Sequence, residues 1–376
     1  MSTKPSTIRI PVELLPADGR FGCGPSKIRP EQLRVLTAQS ATLLGTSHRR
    51  EPVRQLVGSI RNGLKELFNL PDDWEIVLGN GGSTVFWDVA TFGLIRSMSQ
   101  HLVFGEFSSR FATATRSAPH LLDPQVIESS FGDHPMPVTN PDVDAYCFTH
   151  NETSTGVAMD LRRPADSGDA IVIVDATSAA GGLLWRPSEV DVYYFSPQKC
   201  FSSDGGLWVA ACSPRAVDRI EELRQSARWC PASLDLGVAL DNSRSNQTLN
   251  TPAIATLFLL SEQIKWMLDQ GGLTWCAERS RKSSNTLYSW AESRTFAKPF
   301  VIDHSKRSSV VSTIDIEGVD VALINNVLRS NGIVDTEPYG KIGRNQLRIA
   351  TFPSIEPDDV EKLVRCLDYV IERVSS

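Results

Sequence analysis

Between residues 30 and 212 the chain alternates short apolar runs with longer amphipathic ones. Residues 75–78, 102–104, 145–149, 171–174, 192–195 and 207–211 are short apolar runs rich in β-branched and aromatic side chains. They have little polar alternation, which predicts strands buried on both faces. Residues 52–68, 84–95 and 107–116 instead carry apolar positions at helical spacing. Strands and helices in alternation predict an α/β fold, a mostly parallel sheet with helices on both sides. Helical patterning then dominates 214–223 and 253–290. Beyond it, 310–314, 319–328, 346–350 and 357–374 read as strand, helix, strand, helix. That order predicts a smaller α+β unit toward the C-terminus, with the long helical stretch as connector. The Pro- and Asp-rich residues 135–144 read as a surface loop.

Two polar residues stand where this pattern leaves little room for them. The run Tyr193-Tyr194-Phe195-Ser196-Pro197-Gln198 ends in Lys199, followed by Asp204-Gly205-Gly206 and another apolar run. A lysine at the end of a buried strand either snorkels to solvent or is held as a neutral amine, which is competent to form a Schiff base. Asp175 closes Ile171-Val172-Ile173-Val174, at the carboxyl end of a predicted parallel strand, where open α/β sheets bind ligands. Alone it reads equally as a helix cap or a turn residue before Thr177-Ser178. A Schiff-base lysine with an aspartate that holds a ring nitrogen protonated is the pattern of pyridoxal phosphate enzymes.

A third feature is an anion site. A strand ending near Gly79 leads through Asn80-Gly81-Gly82-Ser83-Thr84 into a helix. Glycines at a strand-to-helix turn let backbone N–H groups approach a phosphate, and the helix dipole adds positive potential. Ser83 or Thr84 acting simply as a helix cap is the plainer alternative. No G-x-G-x-x-G follows a strand and no G-x-x-x-x-G-K-[ST] occurs, so dinucleotide and P-loop readings lose their support.

Composition narrows the field further. The net charge of −6 offers no basic surface for nucleic acid. Residues 1–7 lack an apolar signal core, and the longest strongly apolar stretch, 253–260, falls far short of the roughly 20 residues that span a bilayer. Seven scattered cysteines without C-x-x-C spacing fit reduced thiols in a cytoplasm. Six histidines form no H-E-x-x-H, so no metal site is expected.

With these motifs in place, the chain resembles the phosphoserine aminotransferases, class V aminotransferases of the fold-type-I pyridoxal phosphate superfamily. The likeness runs over nearly the whole chain. It rests also on Phe21-Gly22-Cys23-Gly24-Pro25, Thr46-Ser47-His48-Arg49, His150-Asn151-Glu152-Thr153, Asn250-Thr251-Pro252 and Leu347-Arg348. The stretches 335–339 and 343–348 are similar to the actinobacterial branch. The resemblance implies a large pyridoxal-phosphate-binding domain, residues 30–268, built on a mostly parallel seven-stranded sheet. A smaller α+β C-terminal domain, 269–376, would be completed by the N-terminal segment 1–29.

The resemblance also implies roles. Lys199 would carry the cofactor and shuttle the Cα proton, and Asp175 would pair with the ring nitrogen. Phe107, otherwise a core residue, would stack on the ring, and Thr153, otherwise a loop threonine, would lie beside its hydroxyl. Ser83, Thr84 and Gln198 would bind the cofactor phosphate. Asn250 and Thr251, otherwise caps for the next helix, would reach the neighbouring subunit's phosphate and make the enzyme a homodimer with shared sites. Arg348, otherwise an exposed strand arginine, would grip the substrate α-carboxylate. His48 and Arg49, otherwise a solvated loop, would meet the substrate phosphate or the γ-carboxylate of glutamate, and Cys23 would contribute through its backbone. Where many members carry His-Arg the chain has Lys341-Ile342; Lys341 supplies charge there, with Arg344 as a possible substitute for the arginine.

The activity implied is reversible amino transfer from L-glutamate to 3-phosphohydroxypyruvate, giving O-phospho-L-serine and 2-oxoglutarate. It belongs to serine biosynthesis and runs ping-pong through pyridoxamine phosphate. Some members also form 4-phosphohydroxy-L-threonine for pyridoxine biosynthesis. Two competing readings are another class V activity, such as cysteine desulfuration or alanine–glyoxylate transamination, and a non-enzymatic binding module. The first needs a reactive cysteine on a loop, or a different substrate pair. The second has no use for Lys199, Asp175 and Arg348 together.

Overall fold

A computed structural model describes residues 8–374; residues 1–7, read above as lacking a signal core, and 375–376 lie outside it. In chain order the elements are α1 (Pro30–Leu43), α2 (Glu51–Leu67), β1 (Glu75–Asn80), α3 (Ser83–Gly93), β2 (Ser99–Val103), α4 (Glu106–Ser117), β3 (Gln125–Glu128), β4 (Ala145–Thr149), β5 (Asn151–Glu152) and β6 (Val157–Ala158). These are followed by β7 (Ile171–Asp175), β8 (Val192–Phe195), β9 (Leu207–Cys212), α5 (Pro214–Gln225), α6 (Leu236–Arg244), α7 (Ile254–Asp269) and α8 (Gly272–Glu292). The last are β10 (Ala297–Pro299), β11 (Val311–Ile316), α9 (Val321–Ser330), β12 (Gln346–Ala350) and α10 (Pro357–Val374).

The large sheet has seven strands in the order β1-β9-β8-β7-β4-β2-β3. β9 alone among them runs against its neighbours, and the β8-β7-β4-β2-β3 pairs are parallel. Strand periodicity of two sorts side chains between two apolar layers. Tyr146, Phe148, Val172, Val174, Tyr193 and Phe195 enter one layer, shared with α2 and α7. Ala145, Cys147, Ile171, Ile173, Val192 and Tyr194 enter the other, shared with α3, α5 and α6. Both faces are thereby dry, which is why these runs show no polar alternation.

A third layer joins the small sheet β10-β11-β12 to α8, α9 and α10, and takes in Ile8, Ile10, Phe21 and Cys23 from the start of the described chain. Backbone bonds from Phe21 to Val334 and from Ala350 to Phe21 lace that segment to the C-terminal part. Asp359, in the first turn of α10, accepts from Ala17 N at 2.7 Å and lies 3.8 Å from Lys27 Nζ.

Some elements went unpredicted. Only Gln32 and Leu43 of α1 are buried, so it carries almost no apolar stripe to betray it. β3 has no fully buried residue, and β10 and the β5–β6 pair are too short for a periodic signal. β1 runs on through Asn80, so the glycine turn begins one residue later than a strand ending near Gly79 implies.

Asp359→Ala removes the acceptor of a half-buried N–H and leaves the buried Lys27 ammonium with Asp18 as its remaining partner, at 3.6 Å. We expect a loss of about 2–4 kcal/mol of stability in urea unfolding.

Candidate active site

Because β1 is antiparallel to β9, and β9 to β8, strand β1 points the same way as β8, β7, β4 and β2. The carboxyl ends of all five open on one side, the side on which such sheets bind ligands. A cavity of about 170 Å3 lies there, lined by Gly82, Ser83, Thr84, Trp87, Phe107, Thr149, Asn151, Thr153, Asp175, Thr177, Gln198 and Lys199.

Lys199 sits in the turn after β8. The turn is held by a bond from Ser26 N to Gln198 O and another from Ser202 N to Lys199 O. Its amine donates to Cys23 O at 2.5 Å, so the N-terminal segment roofs the lysine. Gly24 allows that approach: its φ is +134°, and a Cβ there would overlap Lys199 Nζ and Cε. Burial is the main cause that lowers the amine pKa from 10.5 to about 8; Arg348 adds a smaller push in the same direction. The lysine does not snorkel, and an appreciable fraction is neutral near pH 7.

Asp175 meets four donors. Oδ2 accepts from Trp87 Nε1 at 3.1 Å and from the Tyr194 hydroxyl at 3.0 Å. Oδ1 accepts from Thr177 N at 2.9 Å and from the Thr177 hydroxyl at 2.5 Å. The turn role and the cavity role therefore coexist in one carboxylate. The Thr177 hydroxyl also lies 2.6 Å from Ser83 Oγ, which joins the aspartate to the glycine turn.

The N-cap of α3 is Gly82, and no side chain caps it, so neither Ser83 nor Thr84 acts as the cap. The helix N-terminus faces the cavity with its own N–H groups, and Gln198 lies beside it. Phe107 is half-buried, with its ring centroid 5.7 Å from that of Tyr339. Thr153 is buried and its hydroxyl donates to Ser178 Oγ at 2.7 Å. Arg348, on β12, is not an exposed strand arginine. Nη1 donates to Thr153 O at 3.3 Å, the guanidinium lies 5.4 Å from the Tyr339 ring centre, and buried Nε has no protein partner.

Arg348 and seven further candidates stand outside the cavity lining. His48 Nδ1 is 3.0 Å from Thr251 Oγ1, and its buried Nε2 has no partner. Burial, then Arg49, lowers its pKa. Arg49 donates to Gln247, and exposed Asn250 and Thr251 sit beside Asn80, whose amide donates to Thr251 O. Neither Asn250 nor Thr251 caps α7, whose N-cap is Ala253. Lys341 is largely exposed and paired with Glu106 at 2.5 Å. Arg344 is engaged by Asp315 and lies over Phe300, which ties it to β11 rather than to the cavity. Cys23 is buried, its thiol 3.7 Å from Arg348 O.

Sequence reasoning left Trp87, Tyr194, Thr177 and Asn151 without roles. Tyr193-Tyr194 held the available signal: two hydroxyls in a strand buried on both faces each need a partner. Tyr193 takes His150 and Tyr194 takes Asp175.

The donor set suits a flat aromatic aldehyde bearing a phosphate. An amine of lowered pKa stands ready for the carbonyl, a buried carboxylate for a cationic ring nitrogen, and an uncapped helix N-terminus for the phosphate. Residues 135–340 match the family model Aminotransferase class-V. The chain belongs to the class V aminotransferases, pyridoxal-phosphate-dependent enzymes of fold type I. Within that class it is 57% identical over 370 residues to a phosphoserine aminotransferase of Nocardioides sp., covering 98% of this chain and 99% of the relative. It is 53% identical, at the same coverage, to the phosphoserine aminotransferase of Rhodococcus opacus. The crystal structure of a phosphoserine aminotransferase from Cytophaga hutchinsonii superposes with a TM-score of 0.83 at 26% identity, covering 94% of this chain and 99% of that one. Among the described residues no group of His, Cys, Asp and Glu is arranged to hold a metal, and no helix is long and apolar enough to cross a membrane.

The lowered lysine pKa has a stability consequence. Between about pH 8 and 10.5 the unfolded chain binds more protons at Lys199 than the folded one, so stability rises with pH across that window. Lys199→Met is expected to stabilise the cofactor-free protein at pH 7, by at most about 3 kcal/mol. Thermal unfolding against pH checks this: the gain fades above pH 8 and is gone by pH 10.5.

Proposed function

We propose that this chain is a phosphoserine transaminase that moves an amino group reversibly between L-glutamate and 3-phosphohydroxypyruvate. The observation that carries this reading is full-length identity above one-half to phosphoserine aminotransferases. The cavity supports it by bringing Lys199, Asp175 and the Gly82 turn together. When bound, pyridoxal phosphate supplies the electron sink that makes the substrate Cα–H acidic.

The chain's own residues do the rest. Lys199 attaches the cofactor through its neutral amine and, once released, moves the proton at the substrate Cα. While the amine is free, the carbonyl of Cys23 accepts its hydrogen bond and holds it in place. Asp175 keeps the ring nitrogen protonated, and Trp87, Tyr194 and Thr177 hold its carboxylate still. Ser83, Thr84 and Gln198, with the N-terminus of α3, would hold the cofactor phosphate, while Phe107 would cover the ring and Thr153 would serve its hydroxyl. Arg348 orients the α-carboxylate common to both substrates; a guanidinium–carboxylate pair fixes direction as well as charge. His48, Arg49 and Lys341 receive the phosphate or γ-carboxylate at the other end.

Asn250 and Thr251 belong, in this reading, to the phosphate site of a partner subunit, which makes the working enzyme a homodimer with shared sites. Their exposed position outside the cavity supports it. We place the enzyme in the cytoplasm, consistent with seven free cysteines. The proposed domains are residues 30–268 and 269–376 with 1–29, in keeping with the separate apolar layer around the small sheet.

Purified protein is expected to transaminate glutamate with 3-phosphohydroxypyruvate far faster than alanine with glyoxylate; the reverse preference refutes the assignment. In the same assay Arg348→Ala raises KM about 10–100-fold for both substrates, the loss of one charge-assisted pair. An effect confined to one half-reaction excludes the α-carboxylate role.

Shared sites are tested by mixing. Lys199→Ala and the double variant Asn250→Ala, Thr251→Ala are each expected to be nearly inactive. Refolded together they regain activity, because one of the two sites in a mixed dimer is intact. No recovery means that each subunit completes its own site.

A further inference from the structure

Glu152 is a carboxylate beside the cavity with no task in the mechanism above. Its side chain is fully buried, and it faces the N-terminus of α4. Oε2 accepts from Ser108 N and Ser108 Oγ, both at 2.9 Å. Oε1 accepts from Ser154 Oγ at 2.7 Å, Ser154 N at 3.2 Å and Phe107 N at 3.4 Å. Ser154 Oγ in turn accepts from Glu106 N at 3.0 Å, so three first-turn N–H groups of α4 converge on this pair. A helix start with a glycine at its cap position offers no side chain of its own. The space is taken instead: a Cβ on Gly105 would overlap the Glu152 side chain.

Burying a carboxylate without a cation is costly, and a helix N-terminus offsets the cost through its dipole and free donors. Helix stability alone needs no residue from a distant strand, since a Ser or Asp at position 105 would serve. Glu152 does something a local cap does not. It lies on β5 between Asn151 and Thr153, both of which line the cavity, and bonds the backbone of Phe107, which lines it from another side.

We propose that Glu152 is a positioning residue that fixes the Phe107 ring against the cofactor by clamping the first turn of α4 to the segment carrying Asn151 and Thr153. This rests on the reading that Phe107 covers the cofactor.

The test measures the pyridoxal phosphate dissociation constant and the visible circular dichroism of the bound cofactor, in the wild type, Phe107→Leu, Glu152→Gln and the double variant. Phe107→Leu is expected to weaken cofactor binding about three- to tenfold, the worth of a ring contact, and to reduce the dichroic band. Glu152→Gln turns an amide N–H₂ toward donors and is expected to reproduce both changes, while the double variant binds no more weakly than Phe107→Leu. If Glu152→Gln does not fold, Ser154→Ala, which removes one donor from the carboxylate, replaces it in the cycle with a smaller effect of the same sign. Unchanged affinity and dichroism in the clamp variant beside a weakened Phe107→Leu overturn the proposal. So do losses that multiply in the double variant, because Glu152 then acts elsewhere. Full affinity in Phe107→Leu removes the covering role of Phe107, and the clamp falls with it.

Discussion

A lysine gives up its proton readily near neutral pH only where water is kept from its ammonium form, and the site is arranged around that exclusion. The sheet supplies half of it: β7 and β8 are dry on both faces, so the turn after β8 starts inside the protein. The other half comes from far away in sequence, where Cys23 and Gly24 close over the amine. The same enclosure would burden Asp175 if its carboxylate were bare. It is surrounded by an indole, a phenol, a hydroxyl and a backbone N–H instead, so the charge is solvated by fixed dipoles that cannot drift away.

Arg348 is the counterpart on the small sheet. β12 is the edge of three strands whose inner face packs on α8 and α10, yet its arginine turns toward Thr153, in the loop after β5. In the proposed mechanism, recognition of the carboxylate and attachment of the cofactor therefore start from different sheets. The Lys199 amine and the Arg348 carbonyl are linked through Cys23, whose oxygen accepts from the amine and whose thiol lies near the Arg348 carbonyl.

Much of the fold was legible because its central strands are buried on both faces and leave unbroken apolar runs. Lys199 and Asp175 were legible for the same reason: each is a charge at the end of such a run, and adjacent parallel strands bring their ends together. What stayed hidden depends on register and on contacts between distant elements. Nothing local shows that Trp87 of α3 and Tyr194 of β8 share one oxygen atom of Asp175. Glu152 stood inside a quoted motif, but its partners lie about 45 positions away on α4. α1 escaped because a helix with hardly any buried face has no stripe to read.

The early segment that roofs the lysine has its anchors near the other end of the chain. Ile10 bonds Asn331, 321 positions later, and Ala17 bonds Asp359. At ribosomal speeds of about 5–20 residues per second, those anchors emerge on the order of tens of seconds after the segment itself. In the later part of that interval, once β9 has emerged, every strand of the large sheet and both partners of the Cys23–Lys199 contact are present, but the anchors of the segment are not. A product truncated before α10 would keep Cys23 and Lys199 but lose the Asp359 acceptor that ties down the segment leading to the roof.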